Sequence, residues 1–193
     1  MHTKDRIATA MGESMRVRGY SASGITGVLA EAGAPNGSLY HHFVGGKRDV
    51  AGYSLRRMGQ AYEELLTGLL ADHRSLADAV ESVFAAAASY MKESGWLNMC
   101  PVSTVAGEVA SCELELRRVL AEIFESWTEH GVRSVQAYGL SAEAARRCTL
   151  AMIAALEGSF VLARTVRSTE PVEAAGHMVA SYCATLGAVT SEL

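Results

Sequence analysis

At 193 residues the chain can hold one sizeable core, or a small domain joined to a larger one. Hydrophobic residues at 49% and charged residues at 20% exclude a disordered chain, and a net charge of −4 excludes a protein that is basic throughout. The charge is uneven: residues 1–57 carry eight Lys/Arg against four Asp/Glu and the remainder nine against 17, which suits a polyanion contact confined to one end.

Three prolines and a scarcity of alternating β-branched runs predict an all-α chain of about nine helices. The N-terminus lacks the continuous apolar core of a secretory signal, and no stretch of 18 apolar residues occurs, so a cytoplasmic protein without a membrane span is expected. Cys100, Cys112, Cys148 and Cys183 follow no CxxC spacing and read as reduced thiols.

The first helix is expected over 3–18, capped by Thr3, striped by Ile7, Met11 and Met15, and stopped by Gly19. A second follows over 24–32 with Ser23 as N-cap, Ile25, Val28 and Leu29 on one face, and Gly33 at its end. Pro35 fits the first turn of a third, short helix over 35–43, anchored by Leu39 and Phe43. Val44-Gly45-Gly46 breaks the chain, and Lys47 opens a long helix to about residue 70. Ser75 with Asp78 resembles a capping box that starts a helix to about 93. Residues 94–102 read as a loop with large apolar side chains, and Cys100-Pro101 marks the entry to a short helix through about 110. Helices over 113–136, from Ser141 to about 167, and from 169 onward complete the chain.

Residues 24–43 thus form a helix ending in Ala-Gly, a tight turn and a short helix with a polar face, which is a helix-turn-helix. A helix that enters a major groove needs small or hydrogen-bonding side chains at its N-terminal end. Asn36 and Ser38 meet both needs, and Gly37 lets the backbone approach closely. Tyr40 and His42 can reach a phosphate or a thymine methyl, and Lys47 adds charge beside the free N–H groups of a helix N-terminus. Pro35, at the head of the helix, is counted with the same set. His41 and His42 have no Cys, Asp or Glu on their face within two turns, so they read as DNA contacts or packing residues rather than metal ligands, and no cofactor is expected.

From Gly19 to Val50 the chain resembles the N-terminal domain of the TetR family of transcriptional regulators. The likeness is carried by AEAGAP, NGSLYHHF and GGK, in order between the first helix and a long fourth one. Ser-Gly-Ile at 23–25, Gly-Ala-Pro at 33–35, Gly-Gly-Lys at 45–47 and Cys100-Pro101-Val102 are similar to the LmrA/YxaF branch. The resemblance implies an all-α fold with a three-helix DNA-binding domain over 1–48 and a larger helical ligand-binding and dimerisation domain over 49–193. It also implies a homodimer, a palindromic operator and repression relieved by a small molecule. By family position, Ser23, Thr26, Asn36, Gly37, Ser38, Tyr40, His42 and Lys47 face DNA.

Phe84, Met91, Trp96, Met99 and Trp127, with Cys100 beside them in sequence, are candidates for a pocket that takes an apolar, drug-like molecule. Trp96 and Met99 lie in the irregular loop, which favours the pocket; Phe84, Met91 and Trp127 stand at helical spacing and suit plain core equally well. Small residues in the last two helices, among them Ala151, Ala155, Ala175 and Gly176, suit a four-helix bundle between two copies of the chain. No Gly-x-Ser-x-Gly, P-loop or Gly-x-Gly-x-x-Gly occurs, which argues against an enzyme. The rival reading is a helical small-molecule binding protein with a vestigial head, against which the polar side chains of residues 36–42 argue.

Overall fold

The computed structural model describes residues 2–97 and 99–188. Among these, the secondary structure is nine helices and no strand: α1 (Thr3–Ala22), α2 (Ile25–Glu31), α3 (Ser38–His42), α4 (Lys47–Leu70), α5 (Leu76–Glu93), α6 (Pro101–Val109), α7 (Leu114–Gln136), α8 (Ala142–Val166) and α9 (Glu170–Ala188). They divide into two compact units, one of Met1–Ala61 with Cys100–Phe124 and the other of Tyr62–Met99 with Glu125–Leu193. Asn98, in the loop expected to be irregular, lies outside the described residues.

In the first unit α1 packs on α2 and α6. The predicted stripe of Ile7, Met11 and Met15 is fully buried, with Val28, Leu29, Leu39, Phe43, Val50 and Leu55. Two long-range hydrogen bonds pair polar groups inside this unit. Ser54 Oγ donates to Ala8 O at 2.6 Å, and Arg6 Nε donates to Ala32 O at 3.0 Å, tying the turn after α2 to α1. Three local expectations need correction. α1 runs on to Ala22 through a kink at Gly19, because Gly19 adopts φ 79°, ψ 177° and the chain resumes helical geometry after it. Thr3 is the first residue inside α1 rather than its cap. Ser23 does not cap α2 either: its hydroxyl donates to Gly19 O at 2.7 Å, and Gly24 takes the N-cap position.

In the second unit α5 and α8 both pack on α9. Val80, Val83, Phe84, Met91, Val135, Cys148, Met152, Leu156, Val172, Val179 and Cys183 lie in its core. The caps are as the sequence predicts: Ser75 Oγ accepts from Asp78 N–H at 3.1 Å and Ser141 Oγ from Ala144 N–H at 3.2 Å. Cys148 and Cys183 are not reduced thiols but form a disulfide between α8 and α9 across 35 residues of chain. Their Cα atoms stand 5.7 Å apart because the hairpin brings two distant buried positions face to face, a register that residue spacing alone does not reveal. Closing a loop of that length stabilises the unit by about 2–4 kcal/mol. α8 also holds an 18-residue window of mean hydropathy 1.4. Cys148, Met152, Leu156 and Ala163 are buried in the core, while Leu150, Val161, Leu162 and Val166 stay exposed.

Candidate functional site

The head is built on a few apolar anchors. Val28 and Leu29 hold α2, and Leu39 and Phe43 hold α3, all of them buried. Between them Gly33 takes φ 58° and Ala34 N–H donates back to Leu29 O at 2.9 Å, which turns the chain sharply after α2. α3 is shorter than predicted. Pro35, Asn36 and Gly37 form a turn closed by Ser38 N–H donating to Pro35 O at 2.9 Å, so the helix begins at Ser38 and Pro35 stands outside it.

The residues expected to face DNA fall into three groups. Thr26, Pro35, Asn36, Gly37, Tyr40 and His41 are exposed, Tyr40 at 67%, and Ser38 and His42 are half-buried. Ser23 is fully buried, with its hydroxyl spent on Gly19 O. Lys47 is half-buried; its Nζ donates to Ser21 O at 3.2 Å and lies 4.4 Å from the centre of the Tyr20 ring. Just before α4, Gly45 N–H donates to the Asp49 carboxylate at 2.6 Å, which ties the turn to the first residues of the helix.

Behind this surface lies a cluster with no local trace in the sequence. The carboxylate of Glu108, on α6, accepts from Tyr20 N–H at 2.9 Å and from Ser21 N–H at 2.8 Å. Two backbone donors beside a kink make a cradle for an anion, and here the anion is internal. Burial raises the Tyr20 hydroxyl above the usual tyrosine value, with the Glu113 carboxylate adding to the effect and Arg48 opposing it. Glu108 lies 88 residues from Tyr20, so nothing near the helix-turn-helix signals it.

The second unit holds a small cavity of about 40 Å³. It is walled by Glu63, Leu66, Thr67 and Leu70 of α4, by Trp127, His130, Gly131 and Ser134 of α7, and by Thr149, Met152, Ile153 and Leu156 of α8. At one end Ser126 Oγ donates to Glu63 at 2.6 Å, and His130 Nδ1 lies 3.2 Å from the same carboxylate oxygen and 2.9 Å from Ser126 O. Both neighbours of Nδ1 are acceptors, so the proton sits on that nitrogen.

Of the six predicted pocket residues this cavity includes Trp127. Phe84 and Met91 are core residues, and Trp96 is half-buried against that core with φ 68°. Met99 is half-buried; Cys100 is a buried thiol that belongs to the first unit, where its carbonyl accepts from Thr104. The remaining wall residues were missed, since three helices far apart in sequence supply them and only their meeting marks the site.

A helix-turn-helix held by buried anchors with its polar face outward, in a chain that is otherwise helical, defines a DNA-binding regulator architecture. The comparisons give the family. Residues 77–178 match the family described as transcriptional regulator LmrA/YxaF-like, C-terminal domain. The HTH-type transcriptional regulator YxaF of Bacillus subtilis is 26% identical over 88% of this chain and 89% of its own. LmrA of the same organism is 22% identical over 88% and 90%. Among solved structures, a TetR transcriptional regulator from Chloroflexus aurantiacus aligns with a TM-score of 0.77 and 26% identity over 93% of each chain. A regulatory protein TetR from Rhodobacter sphaeroides aligns with a TM-score of 0.80 and 22% identity over 92% of this chain and 97% of that one, which speaks to the fold. The chain belongs to the TetR family of transcriptional regulators, with a C-terminal domain of the LmrA/YxaF-like type.

Proposed function

We propose that the protein is a cytoplasmic repressor that binds a palindromic operator as a homodimer and is released by a small apolar molecule. DNA reading is assigned to residues 1–48, and ligand binding and dimerisation to residues 49–193. The observation that carries the reading is the division of labour in α3, where Leu39 is buried while Tyr40, Asn36 and Gly37 are left to solvent. Tyr40, 67% exposed on a five-residue helix, adds little to the core and is free to meet a partner. Support for dimerisation comes from α8 and α9, whose exposed Val161, Leu162, Val166, Met178 and Tyr182 form an apolar set rarely left uncovered on a monomer.

The cavity supports ligand control through α4. That helix supplies Glu63, Leu66, Thr67 and Leu70 to the cavity wall, and its first turn follows directly on the recognition helix. A ligand releases DNA by this route only if it binds the released conformation more tightly. Fluorescence anisotropy of the protein on duplexes from the DNA flanking its own gene tests the reading. Preference over random duplex at moderate salt is expected; equal affinity for both overturns it and leaves a ligand-binding protein with an inactive head. In the same assay Tyr40→Ala is expected to weaken operator binding about tenfold, in line with the loss of one good contact, while the melting temperature stays within a degree or two.

A further inference from the structure

After the kink at Gly19, α1 restarts with the backbone N–H groups of Tyr20 and Ser21, and one side chain from α6 holds both. Glu108 spends a carboxylate oxygen on each: Oε1 accepts from Tyr20 and Oε2 from Ser21. Gly19 permits the approach, since a Cβ there would fall 1.7 Å from Oε1. The same two residues hold Lys47. Its ammonium donates to Ser21 O at 3.2 Å and lies 4.4 Å from the centre of the Tyr20 ring. Both groups that steady the ammonium therefore belong to residues that Glu108 fixes through the backbone. An ammonium carries three donors, and Ser21 O takes one, which leaves donors for an incoming phosphate. A long side chain already held in one pose also loses less freedom when it binds.

We propose that Glu108 is a positioning residue for DNA binding: through the Tyr20–Ser21 turn it holds the Lys47 ammonium in the pose that meets a phosphate of the DNA backbone. The inference rests on reading residues 1–48 as the DNA-binding head. Two effects of the carboxylate oppose each other here, and their signs separate them. As a charge, an acid in a head that binds a polyanion weakens binding, so neutralising it strengthens the complex. As the holder of the turn it strengthens binding, so neutralising it weakens the complex. Glutamine at 108 has nearly the volume of glutamate but a single oxygen acceptor. Its NH2 would face one of the two N–H groups, donor against donor, and that end of the turn would be released.

The test is fluorescence anisotropy over a range of salt, on the duplex flanking the gene and on a random duplex, because a phosphate contact carries no sequence information. Stoichiometric titration sets the active fraction of each variant, so partial unfolding does not pass for weak binding. Lys47→Gln is expected to weaken binding about tenfold at about 0.1 M salt and to lower the slope of log affinity against log salt by about 1, the count of one phosphate. Glu108→Gln is expected to weaken binding about threefold or more and to lower the slope by at least half as much. Added to Lys47→Gln, it is expected to change affinity by less than twofold. Tyr20→Leu removes the ring beside the ammonium while leaving both N–H groups to Glu108, and its effect is likewise expected to vanish in Lys47→Gln. Unchanged or tighter binding by Glu108→Gln, an unchanged slope, or effects at 108 and 47 that multiply in the double variant overturns the proposal. So does a wild type that binds neither duplex. Equal affinity of the wild type for the two duplexes sinks the operator reading alone, since the dependence of Lys47 on Glu108 is read on either one.

Discussion

Gly19→Ala is expected to lower the stability of the head by about 4 kcal/mol and to remove operator binding at any protein concentration that retains the fold. Two costs combine. With φ 79° and ψ 177°, Gly19 occupies a region that only glycine adopts readily, and an alanine there is strained by about 1–3 kcal/mol. The added Cβ also falls 1.7 Å from Glu108 Oε1, so the carboxylate must leave the N–H groups of Tyr20 and Ser21. A hydrogen bond to a charged group contributes about 1.5–3 kcal/mol, and less where water can replace it, as at the exposed Ser21 N–H. The damage reaches the DNA surface because Ser23 hangs on Gly19 O and Lys47 on Ser21 O, immediately before α2 and at the start of α4. Urea unfolding and operator anisotropy measure the two consequences. Glu108→Ala should lower stability less, and the double variant should be less destabilised than the two single losses together, because alanine at 108 makes room for the new Cβ. Full additivity would show that backbone strain, and not displacement of the carboxylate, accounts for the loss in Gly19→Ala.

How far the sequence disclosed this arrangement depends on whether the informative residues are neighbours in the chain. The helix boundaries, the caps at Ser75 and Ser141 and the buried stripe of Ile7, Met11 and Met15 are local properties, set by side chains within a few positions of one another. The helix-turn-helix was legible for the same reason, since its glycine, its proline and its apolar anchors fall within twenty residues or so. Ser23 shows the limit. Its position before a helix suggested a cap, but the kink at Gly19 offered its hydroxyl a nearer carbonyl. The Glu108 cradle and the Cys148–Cys183 bond depend on pairings between distant helices, and periodicity fixes which face of a helix is buried without saying what it meets. The cavity is of this kind as well.

Phe84→Ala is expected to destabilise the second unit by about 3–5 kcal/mol, the cost of removing a fully buried aromatic side chain whose surroundings cannot close on the space. Phe84 is 1% exposed on α5 and stands in the core with Val80, Val83 and Val179. On the facing helix a Cβ at Gly176 would lie 2.7 Å from Phe84 Cβ, so α5 and α9 already approach as closely as backbone allows. Neither helix can move inward to fill a void left by the ring. The sequence left Phe84 open between ligand pocket and plain core, and its absence from the cavity wall makes the two readings experimentally separable. Phe84→Leu keeps most of the volume and should cost about 1.5 kcal/mol or less, as volume-conserving swaps do. If Phe84 is packing, this milder variant, in a Trp96→Phe background, lowers the urea midpoint and leaves the emission of Trp127 in the cavity wall unchanged. If it reaches the cavity, the Trp127 emission shifts with the midpoint nearly unchanged. The full truncation carries a further consequence. α9 also bears Met178 and Tyr182 of the exposed apolar set, so loosening its seat on α5 should weaken association of two copies as well as folding. Sedimentation of Phe84→Ala at low temperature, where the unit remains folded, should then show a larger monomer fraction than Phe84→Leu at the same concentration.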